Sequence, residues 1–334
     1  MDLAAGPAPE GRAERGGGPG AGTARRNPAA LTEAIHRGRR AAVVINARSR
    51  RGARHFTASC RELKAAGFRL IGTHGVRSYE ELKAGLADAV GLHPDLLVVG
   101  GGDGTLSEAV RHLAHRDVAL GVLPLGTTNN FARNLGIPMD PAEAVGLLAR
   151  GRVVDVDLGR VGEHLFANMV SFGLSSEVAA RVPAGLKRVM GRSAYSLTAA
   201  ARLPAHQPFR ARLVVGEDSH DLRTHQLNIA NGNFHAGMPI SRDGTADDQL
   251  LLVYALGGAS RAALIGAIAQ HALRGRHRPM TSPPFLVTDD LWLETDPVLP
   301  IDVDGEVVGH TPTRVTLAPQ ALRVMAGAGA DLAD

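Results

Sequence analysis

Short unbroken apolar runs alternate, through the first half of the chain, with longer stretches in which apolar residues return every three or four positions. The runs AAVVIN (41–46), FRLIGTH (68–74), PDLLVVG (94–100) and VALGVLPLG (118–126) predict strands. The stretches HFTASCRELKAAG (55–67, closed by Gly67), SYEELKAGLADAV (78–90) and TLSEAVRHLAH (105–115) predict helices. Strands alternating with helices imply a parallel sheet joined by right-handed crossovers.

After about residue 150 the period shortens. RVVDVDLGRV, EHLFANMVSFG, FRARLVVGE, THQLNIANG, QLLLVYAL, LWLETD and LPIDVDGEVV are short strand-like runs parted by Gly, Asp and Pro. That texture predicts an antiparallel sandwich or barrel, interrupted by helical stretches near 176–203 and 260–274. The expected fold class is therefore α/β plus β. Residues 1–38, rich in Gly, Pro and Arg, are expected to form a flexible tail. Residues 39–150 then form an α/β domain and 151–334 a mainly β domain.

Composition narrows the function classes. The 334 residues are 44% hydrophobic and 21% charged, as in a folded globular chain. Aromatics, at 4%, are too few for a base-stacking platform, so no nucleic-acid partner is expected. The single cysteine, Cys60, excludes an internal disulfide framework and fits a reducing cytoplasm. No apolar signal region follows the N-terminus, and AALIGAIAQHAL is too short to span a bilayer. Basic residues at 181–192 and 274–278 would support at most a peripheral contact with an anionic membrane, such as the inner membrane face. The assembly state is left open, a homodimer included.

Chemistry concentrates in loops at the strand ends, where open parallel sheets bind ligands. LVVGGGDGTLSEAV (97–110) places Gly100, Gly101, Gly102, Asp103 and Gly104 between an apolar run and a helix. Free amides at a helix start attract anions, and glycine lets a phosphate approach the backbone. The spacing is neither G-x-G-x-x-G nor a Walker loop, and no lysine lies in a glycine-rich loop. A carboxylate there implies a bridging divalent cation or a reacting group to be positioned. The turn alone is equally an Asp-Gly turn in which Asp103 caps the next helix. The loops PLGTTNNFARNLGIP (124–138) and NARSRRG (46–52), both polar and on the same sheet edge, favour the phosphate site.

GGDGT followed by SE, then LPLGTTNNFARNLGIP, NGNFHAGMPISRDGTADDQL (231–250) and DVDGE (302–306), resemble in content and order the diacylglycerol kinase catalytic family, in particular its bacterial lipid kinase branch. The resemblance implies a phosphofructokinase-like nucleotide domain followed by a β-sandwich, with the active site between them. It implies an ATP site at Gly101, Gly102, Asp103, Gly104, Thr105, Leu106 and Ser107, with Thr73, Thr127, Asn46 and Ser49 adding contacts. Asp103 would hold catalytic Mg²⁺. Glu306 would be the general base toward a lipid hydroxyl, whereas by its residues alone Asp304-Gly305-Glu306 reads as a hairpin turn. Thr245, Asp248 and Leu250 would hold a structural Mg²⁺. The chain departs from relatives at Ala47, Arg50, Asn130 and Gln249. The implied activity is phosphorylation of diacylglycerol or a similar lipid alcohol. Two other readings stay open: an NAD kinase, which shares the glycine turn, and a lipid- or nucleotide-binding protein without catalysis.

Overall fold

The computed structural model describes residues 25–48, 50–181, 206–232, 234–235, 238–239, 250–256 and 285–327. Its first half is built as the apolar runs predict. Strands β1 (Arg40–Asn46), β2 (Arg69–Val76), β3 (Leu96–Gly101) and β4 (Ala119–Pro124) pair in parallel in the order β2-β1-β3-β4. Helices α2 (Arg50–Ala65), α3 (Tyr79–Gly91) and α4 (Asp103–Leu113) connect them. β3 and β4 are buried at every position, which is why their sequences read as continuous apolar runs. Two further helices, α5 (Asn130–Asn134) and α6 (Pro141–Arg150), follow β4. Asp140 caps α6, its carboxylate accepting from the amides of Ala142 and Glu143.

Two expectations need correction. Residues 28–38, assigned above to a flexible tail, form helix α1 (Pro28–Gly38). Asn27 caps it, Pro28 opens it, and Leu31 and Ile35, one turn apart, are fully buried. Ahead of it Arg26 binds Asp95 at 2.8 Å and Asp117 at 2.6 Å, which ties the segment to the sheet. Second, the division at residue 150 is not a division of the sheet. Strand β18 (Thr313–Ala326), absent from the predicted set, runs parallel to β4, with Val324 opposite Leu120. It also pairs antiparallel with β5 (Arg152–Val161), and its residues 318, 321, 322 and 324–326 enter the first core.

The second half is antiparallel, as its texture predicts. One sheet has the order β14-β13-β10-β7-β16-β17, formed by Leu286–Thr288, Leu251–Leu256, Gln226–Asn231, Met169–Gly173, Pro300–Val303 and Glu306–His310. Facing it, β8 (Phe209–Val215), β9 (Asp218–Thr224) and β15 (Asp290–Asp296) extend the large sheet beyond β18. Phe166, Phe172, Phe209, Ile229, Val253, Leu293 and Ile301 fill the space between the two. Helix α7 (Leu174–Arg181) begins the stretch predicted as helical at 176–203; the remainder of that stretch and 260–274 lie outside the described residues.

Candidate active site

The glycine turn is bare for two different reasons. A Cβ on Gly126 would stand 2.3 Å from the Gly102 Cα, and one on Gly101 2.5 Å from the Thr105 side chain. The loops after β3 and β4 therefore stack backbone on backbone, which only glycine permits. Gly104, by contrast, faces open space. The amides of Thr105 and Leu106 close on the Gly102 carbonyl, whereas those of Asp103 and Gly104 make no such bond. Their position at the start of an 11-residue helix suits an anion.

Asp103 does not cap α4; Gly102 occupies that position, with no side-chain cap. The Asp103 carboxylate instead reaches the second loop. Its Oδ2 accepts from the Thr128 hydroxyl at 2.7 Å, and its Oδ1 from the Phe131 amide at 3.3 Å. Asn129, in the left-handed conformation at φ 50°, folds that loop by accepting from the Gly126 amide at 2.9 Å. Asn130 is buried at the start of α5.

The remaining predicted nucleotide contacts divide. Thr127 is exposed on the second loop, and Asn46 lies 3.4 Å from the Thr105 hydroxyl, so both adjoin the turn. Leu106 is wholly buried in the core, so only its backbone faces the loop. Thr73 lies inside β2, opposite Val43. It borders a hollow of about 420 Å³ with Phe56, Thr57, Cys60, Arg61 and Lys64 of α2. Ser49, Thr245 and Asp248 lie outside the described residues; Leu250 is exposed just before β13.

The Asp304-Gly305-Glu306 stretch is a hairpin turn and also a junction. Asp304 and Gly305 have φ of 49° and 94°, the twist a two-residue hairpin requires. The Asp304 carboxylate accepts from the amides of Ala167 (2.9 Å), Asn168 (3.2 Å) and Met169 (3.0 Å). A fourth donor is the hydroxyl of Ser107, on the first turn of α4, at 3.0 Å. Glu306 leaves the turn toward α3 and α4. Its Oε1 accepts from the Tyr79 hydroxyl at 3.0 Å, and its Oε2 lies 2.9 Å from Arg111. Arg111 and Tyr79 both also hold Glu108, each at 2.8 Å, and His112 stands 3.3 Å from it. Burial raises the Glu108 carboxyl, but His112, Tyr79 and Arg111 outweigh it and bring it down to about 2. Burial and the two carboxylates hold the Tyr79 phenol protonated, well above its usual value. The loop after β10 joins the same region: Gly232, at φ +92°, has no room for a Cβ against the Asn134 side chain of α5.

Two stretches of the chain match known families. Residues 40–161 match the diacylglycerol kinase catalytic domain. Residues 168–326 match the YegS C-terminal NAD kinase beta sandwich-like domain. The chain belongs to the diacylglycerol kinase catalytic family. A protein of Pseudomonas aeruginosa named "Probable lipid kinase YegS-like" is 35% identical over 241 residues, 71% of this chain and 78% of that one. The diacylglycerol kinase of Bacillus subtilis is 30% identical over 285 residues, 82% and 92% of the two chains. A crystal structure of a diacylglycerol kinase from Bacillus anthracis has the same fold, with a TM-score of 0.68 at 22% identity over 86% of this chain and 97% of that one.

In this kinase the glycine turn, the loop after β4 and the Asp304-Gly305-Glu306 hairpin meet at one place, and four residues outside the predicted set join them. Asp304 was legible as part of DVDGE but only as a turn residue. Glu108 and Arg111 stand three apart on α4, a spacing that places them on one helix face. Tyr79 carries no local signal: its partners are 29 and 227 residues away.

Proposed function

We propose that this kinase transfers the γ-phosphoryl group of ATP to a hydroxyl of diacylglycerol or a similar lipid alcohol, with Glu306 as general base. The observation that carries this reading is the 3.0 Å bond between Ser107 of the glycine-turn helix and Asp304 of the hairpin that presents Glu306. It draws the glycine-turn end of α4 and a carboxylate of the second half to one seam. Phosphoryl transfer asks chiefly for alignment and charge stabilisation, with modest proton removal. The free amides of Asp103 and Gly104 would hold phosphate oxygens. The Glu306 carboxylate would accept the proton of the attacking lipid hydroxyl as its oxygen bonds to the γ-phosphorus and ADP leaves.

The donor set at Asp103 fits Mg²⁺. This cation is commonly held by one or two carboxylates together with substrate phosphates. Among the described residues no group of three His, Cys, Asp or Glu side chains could hold a metal by itself. When bound there, Mg²⁺ would neutralise charge on the transferring group. A second, structural Mg²⁺ at Thr245, Asp248 and Leu250 belongs to the same proposal. No helix among the described residues is long and apolar enough to cross a membrane. Peripheral contact from the cytoplasmic side would bring the site to its lipid.

The test is transfer from γ-labelled ATP with Mg²⁺ to a panel of lipid alcohols and to NAD, with wild type and Glu306→Gln. NAD is included because the second-half match is described as NAD kinase-like. Label is expected in a lipid, reduced by about 10²- to 10⁴-fold in Glu306→Gln. Label in NAD would overturn the acceptor, and bound ATP without transfer to any acceptor would favour the binding protein.

A further inference from the structure

Glu306 extends from a two-residue turn with its side chain 41% exposed, yet both of its oxygens are engaged by residues of the other half. Arg111 on α4 takes one and Tyr79 on α3 the other. We propose that Arg111 and Tyr79 are positioning residues for Glu306, holding its carboxylate aimed across the seam. This rests on the reading of Glu306 as general base.

The arrangement is over-determined. A free glutamate side chain samples many rotamers, and fixing it costs entropy that specific partners must offset. Arg111 is itself anchored, because it also binds Glu108 at 2.8 Å, and the Glu108 side chain is only 2% exposed. If the guanidinium swung away, a buried carboxylate would lose its cation, which is expensive. Tyr79 lies between the same two carboxylates, donating its one hydroxyl proton to either, and Lys83 sits over its ring at 5.1 Å. One guanidinium therefore serves two carboxylates with a phenol between them. Without Arg111, Glu306 would face the charge of Glu108 across the phenol alone, and like charges repel.

The other charged groups nearby have their own partners. Asp304, two residues back, is bound by three amides and Ser107. Glu177 of α7, which packs against β17, lies 3.6 Å from His206. On β16, Asp302 is buried and has an interaction of its own. His112 is engaged with Glu108. All of these remain when Arg111 or Tyr79 is replaced.

The measurement is the pH profile of kcat/KM for lipid phosphorylation in wild type, Arg111→Gln, Arg111→Lys, Tyr79→Phe and Glu306→Gln. The acid limb reports protonation of the essential base in the free enzyme. In Arg111→Gln it should move up by about one pH unit, so that the rate below the limb falls about tenfold. The lipid KM should hold, and Arg111→Lys should restore most of the limb. Tyr79→Phe keeps the ring and the Lys83 contact, and should move the limb the same way by less; it carries the test if Arg111→Gln does not fold. An unmoved limb in the folded variants, with the rate normal or lowered equally at every pH, would overturn the positioning role. If Glu306→Gln is as active as wild type, the base reading falls and this one with it. If Glu306→Gln is inactive while the limb stays in place, only the positioning role falls.

Discussion

Three glycines within two positions of a carboxylate look alike on paper, yet Gly104 and the Gly101–Gly102 pair serve different ends. Gly102 and Gly126 are required by the stacking of two loops, Gly101 by the Thr105 side chain, and Gly104 by nothing the fold itself contacts. Gly126→Ala must push its Cβ into the Gly102 backbone and the Asn129 side chain, and is expected to cost about 1–3 kcal/mol. Gly104→Ala should instead leave stability unchanged or raise it by up to about 1 kcal/mol, because it sits on α4. Urea unfolding of the two variants compares them directly. A reversal would mean that the loops do not stack as described. Asp103 was legible as chemically unusual, but its attachment to Thr128 was not. Thr128 is 25 residues away, and no local pattern records which loop a carboxylate will meet.

At the scale of elements, α3, α4 and the β16–β17 hairpin are linked through Glu108. Its carboxyl is held at about 2, against an ordinary value of 4.5. A lowered carboxyl adds stability above its unfolded value, and that stability is lost as pH falls through the folded one. The contribution is therefore present above about pH 4.5 and disappears toward pH 2. It amounts to roughly 3 kcal/mol at most. Glu108→Gln is expected to show a flatter stability profile than wild type across that window in denaturant titrations. Equal slopes would assign the acid sensitivity to other carboxylates. The elements themselves were largely legible, since β1, β3, β4 and β5 announce themselves as apolar runs. Helix α1 was legible as well: Asn27, Pro28, Leu31 and Ile35 form a cap, a first-turn proline and a one-turn apolar pair. The surrounding Gly- and Arg-rich composition hid that signal.

At the scale of the molecule, β18 makes the two halves interdependent. Its first residues pair with β15 and its last with β4, and Leu322, Val324 and Met325 lie in the first core. Arg323, 4% exposed, binds Asp155 at 3.3 Å and also pairs with Asp117 and the Arg26 carbonyl. A fragment of residues 39–150 would leave the β4 edge open and lose Val153, Val154, Val156 and Leu158 from its core. It is expected to lack the cooperative urea transition of the whole chain. A fragment that unfolds as sharply as the whole chain would return the boundary to residue 150.

What the sequence determined by itself was everything set over a few neighbouring residues: the period of each strand and helix, the glycine turn, the hairpin at Asp304-Gly305, and the order of motifs that marks the family. The tertiary structure decided which of these meet. Ser107 reaches Asp304 across 197 residues, Arg111 reaches Glu306, and β18 inserts beside β4. Local signals arise from backbone sterics and burial, which act between neighbours in the chain. The seam arises from packing between distant segments, and its chemistry exists only once the chain has folded.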